Sequence, residues 1–187
     1  MEGRIVYFDK PGAHNTAEAL RIARRRAGEL GIRQVVLAST HGRTALAAAE
    51  TFRGSGIEPI AVSLSAAFGS EGWTMTPQER RLVEAAGVRV LTTLHGLADG
   101  VAEGLFGGAT PGTVIAETLR CFSQGLKVAV EVAIMAAEAG WVEAGREIVA
   151  LGGTNDGADT AVVLRPAFAR KIKDLAVCEL LCKPRLP

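Results

Sequence analysis

The sequence predicts one α/β domain, residues 1–187: three layers, α/β/α, with a mostly parallel sheet and an antiparallel hairpin at one edge. Short apolar runs of strand composition alternate with helical runs along the whole chain. The strand runs are apolar without in–out alternation, which suits a sheet covered on both faces. In "EIVALGGTNDGADTAVVLRP" two such runs are joined by a turn too short for a crossover helix, so that pair must be antiparallel.

The elements follow in order. "RIVYF" (4–8) is a short strand ended by "DKPG". "HNTAEALRIARRRAGELG" is an amphipathic helix, with Asn15 or Thr16 as cap, Leu20, Ala23, Ala27 and Leu30 at helical spacing, and Gly31 past its end. "RQVVLAS" is a buried strand, and the next helix runs from Thr44 to about Arg53 with Ala45, Leu46, Ala49 and Phe52 on one face. "IEPIAVSL" is a strand. Pro77 opens the helix "PQERRLVEAAG" with Thr76 as cap, and "VRVLTT" is the next strand. The Gly-rich "HGLADGVAEGLFGGATPG" holds helix and a turn at 110–112. "TVIAETLRCFS" and "LKVAVEVAIMAAEAG" are helices, the second almost wholly apolar and therefore buried. "REIVALGG", "TAVVLRP" and "AVCELLCKPR" are the last strands.

Bulk composition excludes several functions. With 21 basic and 20 acidic residues the chain lacks the charge footprint of a nucleic-acid binder. Arg24, Arg25 and Arg26 read as a solvated helix face. The most apolar stretch carries Lys127, Glu131 and Glu138 and is too short to span a bilayer, and the first residues are neither a signal nor a transit peptide. Cys121, Cys178 and Cys182 form no disulfide framework and no zinc site, with Cys178 and Cys182 read as core residues. The expectation is a soluble cytoplasmic protein without a metal.

Two turns carry polar chemistry. The first, residues 39–44, follows a strand and opens a helix, so free N–H groups and the helix dipole favour an anion there. Ser39, Thr40 and Thr44 offer hydroxyls, Gly42 lets backbone approach a ligand, and Arg43 adds a bidentate cation. The turn is neither a Walker loop nor a dinucleotide fingerprint: Leu37 stands where a Walker sequence needs glycine. A plain helix cap is the alternative. The second, residues 152–160, surrounds Thr154 and Asn155 with Gly152, Gly153, Gly157, Asp156 and Asp159, a denser polar cluster than a hairpin requires.

Other side chains have two readings. His95 follows a strand at its carboxyl end, where an acid/base or ligand contact is possible beside a structural role. His14 reads as surface, and His41 as a residue stacking on or bonding a ligand. Glu131 in its apolar helix needs a partner, which Lys127 four residues earlier supplies; Glu117 and Arg120 form a similar pair. Tyr7, Phe8, Phe68 and Trp73 are candidate walls for a flat ligand.

The two turns together resemble the C-terminal domain of pyruvate kinase. Through "IVYFDKPGAHNT", "GLKVAVEVAIMAAEAG", "LGGTNDGADTAVVLRPA" and "CKPR", nearly the whole chain is similar to the stand-alone pyruvate-kinase C-terminal-domain-like proteins of archaea and bacteria. The resemblance implies one α/β domain without the catalytic barrel, hence no pyruvate kinase activity. It implies a phosphorylated small molecule as ligand, flavin mononucleotide (FMN) in particular. Ser39, Gly42 and Thr44 match the phosphate turn, while Thr40, His41 and Arg43 fill its variable slots. Gly152, Gly153, Thr154, Gly157, Asp159 and Thr160 match the opposing turn, and a histidine at position 95 also fits. A regulatory module that assembles as a homo-oligomer, or an enzyme using His95 or Asp159 on a phosphorylated metabolite, are the other functions implied. One departure is plain: "SLSAAFGSEG" stands where relatives carry histidines.

Overall fold

The computed structural model describes residues 3–97, 100–108 and 110–186. The strands are β1 (Val6–Phe8), β2 (Gln34–Ala38), β3 (Glu58–Ser63), β4 (Arg89–Thr92), β5 (Ile148–Gly152), β6 (Thr160–Arg165) and β7 (Ala176–Pro184). The helices are α1 (Thr16–Leu30), α2 (Arg43–Phe52), α3 (Pro77–Ala85), α4 (Gly100–Phe106), α5 (Pro111–Arg120) and α6 (Gln124–Glu138).

Local chemistry sets the helix ends. Gly31 closes α1 in the left-handed conformation at φ 67°. Thr76 and Glu79 form a capping box at α3, whose first residue is Pro77. The sequence places a turn at 110–112; instead Thr110 caps α5 in a box with Thr113. Pro111 and Gly112 enter the helix because proline is well suited to a first helical turn.

The sheet order is β1-β7-β6-β5-β2-β3-β4. Among these strands only β6 runs antiparallel to its neighbours, β5 and β7. The expected hairpin β5–β6 therefore exists but lies inside the sheet, not at its edge. The short turn dictates how the two strands pair with each other. It carries no information about β7, which returns along the free side of β6, or β1, which joins beyond it.

α1, α2 and α3 cover one face, where Leu20, Ala45 and Val83 meet Val35, Leu37, Val149 and Leu151. α6 covers the other, buried from Gly125 to Ala137 against Val36, Ile60, Ala150 and Val162. The helical stripes are nearly as expected, although Leu30 and Leu46 at their margins are exposed. Of the cysteines only Cys182 is buried, its thiol pushed up to about 12 by burial. Cys178 corrects the expectation: it lies on the first half of β7, where the sheet is exposed. Arg26 also departs from a solvated face, since it is half-buried and bonds Glu179 of β7 at 2.6 Å.

Among the described residues no helix is long and apolar enough to cross a membrane.

Candidate functional site

β2 and β5 are parallel neighbours in mid-sheet, with Leu37 level with Leu151. From their carboxyl ends the chain diverges, toward β3 in one case and β6 in the other. Diverging connections leave a crevice, the usual ligand position in such sheets. The two polar turns of the sequence flank it.

The 39–44 turn keeps much of its hydrogen-bonding capacity open. Ser39 is buried; its N–H donates to Val62 O at 2.9 Å and its Oγ accepts from Ala45 N at 3.2 Å. Gly42, at φ 84°, precedes α2 and has no side chain to cap it. Among the described residues the one side-chain acceptor at this helix start is therefore Ser39, as in the plain-cap alternative, and it serves only Ala45 N. A Cβ there would lie 2.6 Å from Val83 Cγ2, so α3 packs directly on this glycine. The N–H groups of Arg43 and Thr44, at the positive end of the α2 dipole, have no partner among the described residues. The Thr44 side-chain hydroxyl likewise has no partner among the described residues; the residue as a whole is 5% exposed, and its oxygen is part of what remains accessible. Thr40 is half-buried beside it. His41 turns away toward α3, with Nδ1 3.4 Å from Glu79 Oε1. The backbone N–H of Thr76 holds the Glu79 carboxyl below the usual range, so an acidic partner faces this ring.

The 152–160 turn is arranged differently. Asp159 is fully buried and accepts from Gly12 N at 2.9 Å, Thr154 N at 3.2 Å and Thr160 Oγ1 at 3.0 Å. Thr160, also fully buried, continues to Ser123 Oγ at 3.1 Å, and Ser123 caps α6 at Leu126 N. A Cβ on Gly157 would lie 2.4 Å from Thr16 Oγ1, while Ala158 N donates to that same hydroxyl at 3.0 Å. Gly153 folds against Gly157, and Gly152 against Gly125 of α6. The turn thus ties β1's exit loop, α1 and α6 together. Only its tip is open: Asn155, left-handed at φ 62°, and Asp156 are exposed, with Thr154 half-buried. From that tip Asp156 pairs with Arg43 at 2.6 Å, so the turns meet across the crevice.

A cleft of about 230 Å³ opens beside the 39–44 turn, lined by Ser63, Leu64, Ala66, Thr74, Met75 and Thr92. Ser63 Oγ lies 2.6 Å from Thr92 Oγ1, which also accepts from Arg80 at 2.6 Å. His95 is on the loop after β4, its ring edge-on to Phe68 at 5.0 Å, and Phe68 stacks on Trp73 at 6.3 Å. Burial lowers the His95 pKa; Glu131 partly opposes this. Lys127 and Glu131 form the expected buried pair at 2.5 Å, and Glu131 also accepts from Leu97 N at 3.3 Å. Glu117 and Arg120 pair as expected. Tyr7 and Phe8 sit on edge strand β1, with the Tyr7 ring 5.6 Å from Lys183 Nζ. His14 is exposed.

A larger hollow, about 540 Å³, lies at the opposite end of the sheet among Arg33, Gln34, Gly56, Glu58, Arg146 and Glu147. The carboxyl end is the better candidate: there the open N–H groups of α2 lie beside the accessible Thr44 hydroxyl, which has no partner among the described residues. Among the described residues no cluster of histidine, cysteine and carboxylates is fit to hold a metal.

Sequence reasoning counts Asp156 in the polar turn but not as the partner of Arg43, and it misses Ser123 and Gly125, which join the network only through the packing of α6.

No protein-family model matches the chain. Solved structures similar to it include a pyruvate kinase of Cryptosporidium parvum, at 16% identity and TM-score 0.44 over 84% of this chain and 23% of that one. A second from the same organism has 19% identity and TM-score 0.43, over 84% and 24%. O-ureido-L-serine synthase overlaps less, at 20% identity and TM-score 0.32 over 58% and 29%. The chain spans about a quarter of the length of these pyruvate kinases. At such identity and overlap the likeness carries nothing about ligand or reaction.

Proposed function

We propose that the protein binds a phosphorylated small molecule at the carboxyl end of the sheet, its phosphate on the first turn of α2. The observation that carries this reading is the coincidence of the open Arg43 and Thr44 N–H groups with the Thr44 hydroxyl, which has no partner among the described residues and stays accessible on an otherwise buried residue. An anion there meets the helix dipole and a guanidinium already at hand in Arg43. Ser39 and Gly42 shape the turn, and Thr154, Asn155 and Asp156 form its opposite rim. FMN is the ligand implied by the sequence resemblance. The chemistry fits: one phosphate for the helix end, and a neighbouring cleft for a further part of the molecule. Bound FMN would bring flavin redox chemistry; the residues described hold and orient it.

Purified protein is expected to carry the yellow absorbance of oxidised flavin or to gain thermal stability when FMN is added. Colourless protein that is not stabilised by FMN, yet is stabilised by inorganic phosphate, would leave the phosphate site and remove the flavin.

The three free thiols suit a reducing, cytoplasmic setting. Val101, Leu105, Phe106, Val114 and Phe122 are exposed on and beside α4 and α5, which supports a homo-oligomer. Light scattering that finds a monomer at all concentrations would contradict it.

A further inference from the structure

The hollow at the amino end of the sheet encloses about 540 Å³. Small-molecule sites span roughly 300–1,000 Å³, so it is of a size for a whole ligand. It runs across three neighbouring strand starts. Arg146 and Glu147 lead into β5, Arg33 and Gln34 stand at the start of β2, and Gly56 and Glu58 at that of β3.

Two carboxylates line it, and both are already neutralised by arginines outside the lining. Glu58 accepts from Arg89 at 3.0 Å and from Gln34 Nε2 at 3.2 Å, and Arg89 is held over the Trp141 ring at 4.1 Å. Glu147 accepts from Arg165 at 3.0 Å. The two arginines of the lining are not neutralised in this way. Arg33 has no ion pair and no side-chain hydrogen bond among the described residues. Arg146 has only Glu143, at 3.6 Å, in a pair 70% exposed and therefore weak. Once the close pairs cancel, the charge left open in the hollow is positive. The Arg33 guanidinium also has a defined place. Its Nη1 lies 3.1 Å from where a Cβ on Gly56 would stand, and Gly56, at φ 72°, leaves that space clear. Arg33 thus leans toward the β3 side, while Arg146 stands on the β5 side.

We propose that this hollow binds a small organic anion with two acidic groups, one held by Arg33 and the other by Arg146. Each guanidinium presents a planar fork that matches the paired oxygens of a carboxylate or a phosphate. β5 and β3 flank β2, so they are two strand spacings apart, roughly 10 Å. That separation leaves room for a short carbon chain between two forks. The site lies at the opposite end of the sheet from the α2 turn and does not depend on the phosphate reading above.

The test measures succinate, 2-phosphoglycolate and acetate binding by calorimetry in wild type, Arg33→Gln, Arg146→Gln and Arg21→Gln. All three substitutions change exposed side chains, so the fold should be kept, which thermal unfolding checks. Wild type should bind succinate or 2-phosphoglycolate more tightly than acetate, which offers one acidic group. Arg33→Gln and Arg146→Gln should each weaken the dianion about tenfold or more, the loss of a charged hydrogen-bonding partner. Arg21→Gln, which removes only a surface pair with Glu18, should leave it unchanged. Wild type that binds neither dianion, or affinity unmoved in both hollow variants, would overturn the proposal. Binding of 2-phosphoglycolate that survives in both but falls in Thr44→Val would overturn the hollow and support the phosphate turn.

Discussion

The 39–44 and 152–160 turns look alike in sequence, each a cluster of glycine, hydroxyl and charge at a strand end, yet the fold uses them in opposite ways. In the second, the polar side chains face inward. Asp159 and Thr160 are fully buried and bonded to Gly12, Thr154 and Ser123, and Gly157 and Gly152 are sites where α1 and α6 approach too closely for any Cβ. In the first, the capacity faces outward: among the described residues the Arg43 and Thr44 N–H groups and the Thr44 hydroxyl have no partner. Polar density at a strand end is thus not by itself a mark of a ligand site. What distinguishes the two is whether the groups are already satisfied.

The largest expected effect is on the satisfied turn. Asp159→Ala strands three donors, two backbone and one hydroxyl, and should cost about 3 kcal/mol or more in denaturant unfolding. An unfolding midpoint close to wild type would show that the turn is not the clamp described. Next is Gly42→Ala, which puts a Cβ at φ 84° and 2.6 Å from Val83 Cγ2. Strain and contact together should cost about 1–3 kcal/mol and loosen phosphate binding.

Much of the fold was legible because local chemistry fixes it. Thr76-Pro77, Gly31 and the apolar strand runs locate their elements. Thr110-Pro111 suits a turn as well as a helix start because proline serves both, and the interior place of the β5–β6 pair depends on β7, far along the chain. For the site, the sequence marks which residues are polar but not which remain unsatisfied. The sequence marks Asp159 and Thr160 as ligand contacts, while in the fold their side chains are bonded within the protein and His41 turns to Glu79. The Arg43–Asp156 pair arises only from three-dimensional packing.

Smaller effects sharpen the contrast. The Arg43–Asp156 pair is exposed and adds little stability. Asp156→Asn should leave unfolding unchanged and raise phosphate affinity by up to about fivefold, as Arg43 is released from a surface pair worth at most ~1 kcal/mol. Weaker phosphate binding would place Asp156 among the ligand's own contacts. Smallest is the pH response of His95. Burial sets its folded pKa below the usual 6.5, so the unfolded chain takes up the proton first as pH falls. Stability should be full above about 6.5, decline below it, and level off under the lowered folded value. His95→Gln should flatten that limb in unfolding curves recorded across the range; an unchanged slope would assign it to other groups.

The most direct measurement is FMN affinity in Thr44→Val beside its unfolding curve. The substitution keeps the shape and removes only a hydroxyl with no partner among the described residues. The expected result is unaltered or slightly higher stability, with affinity lower by about tenfold, the cost of one hydrogen bond to a charged group. Unchanged affinity in a stably folded variant would contradict a phosphate seated on the first turn of α2.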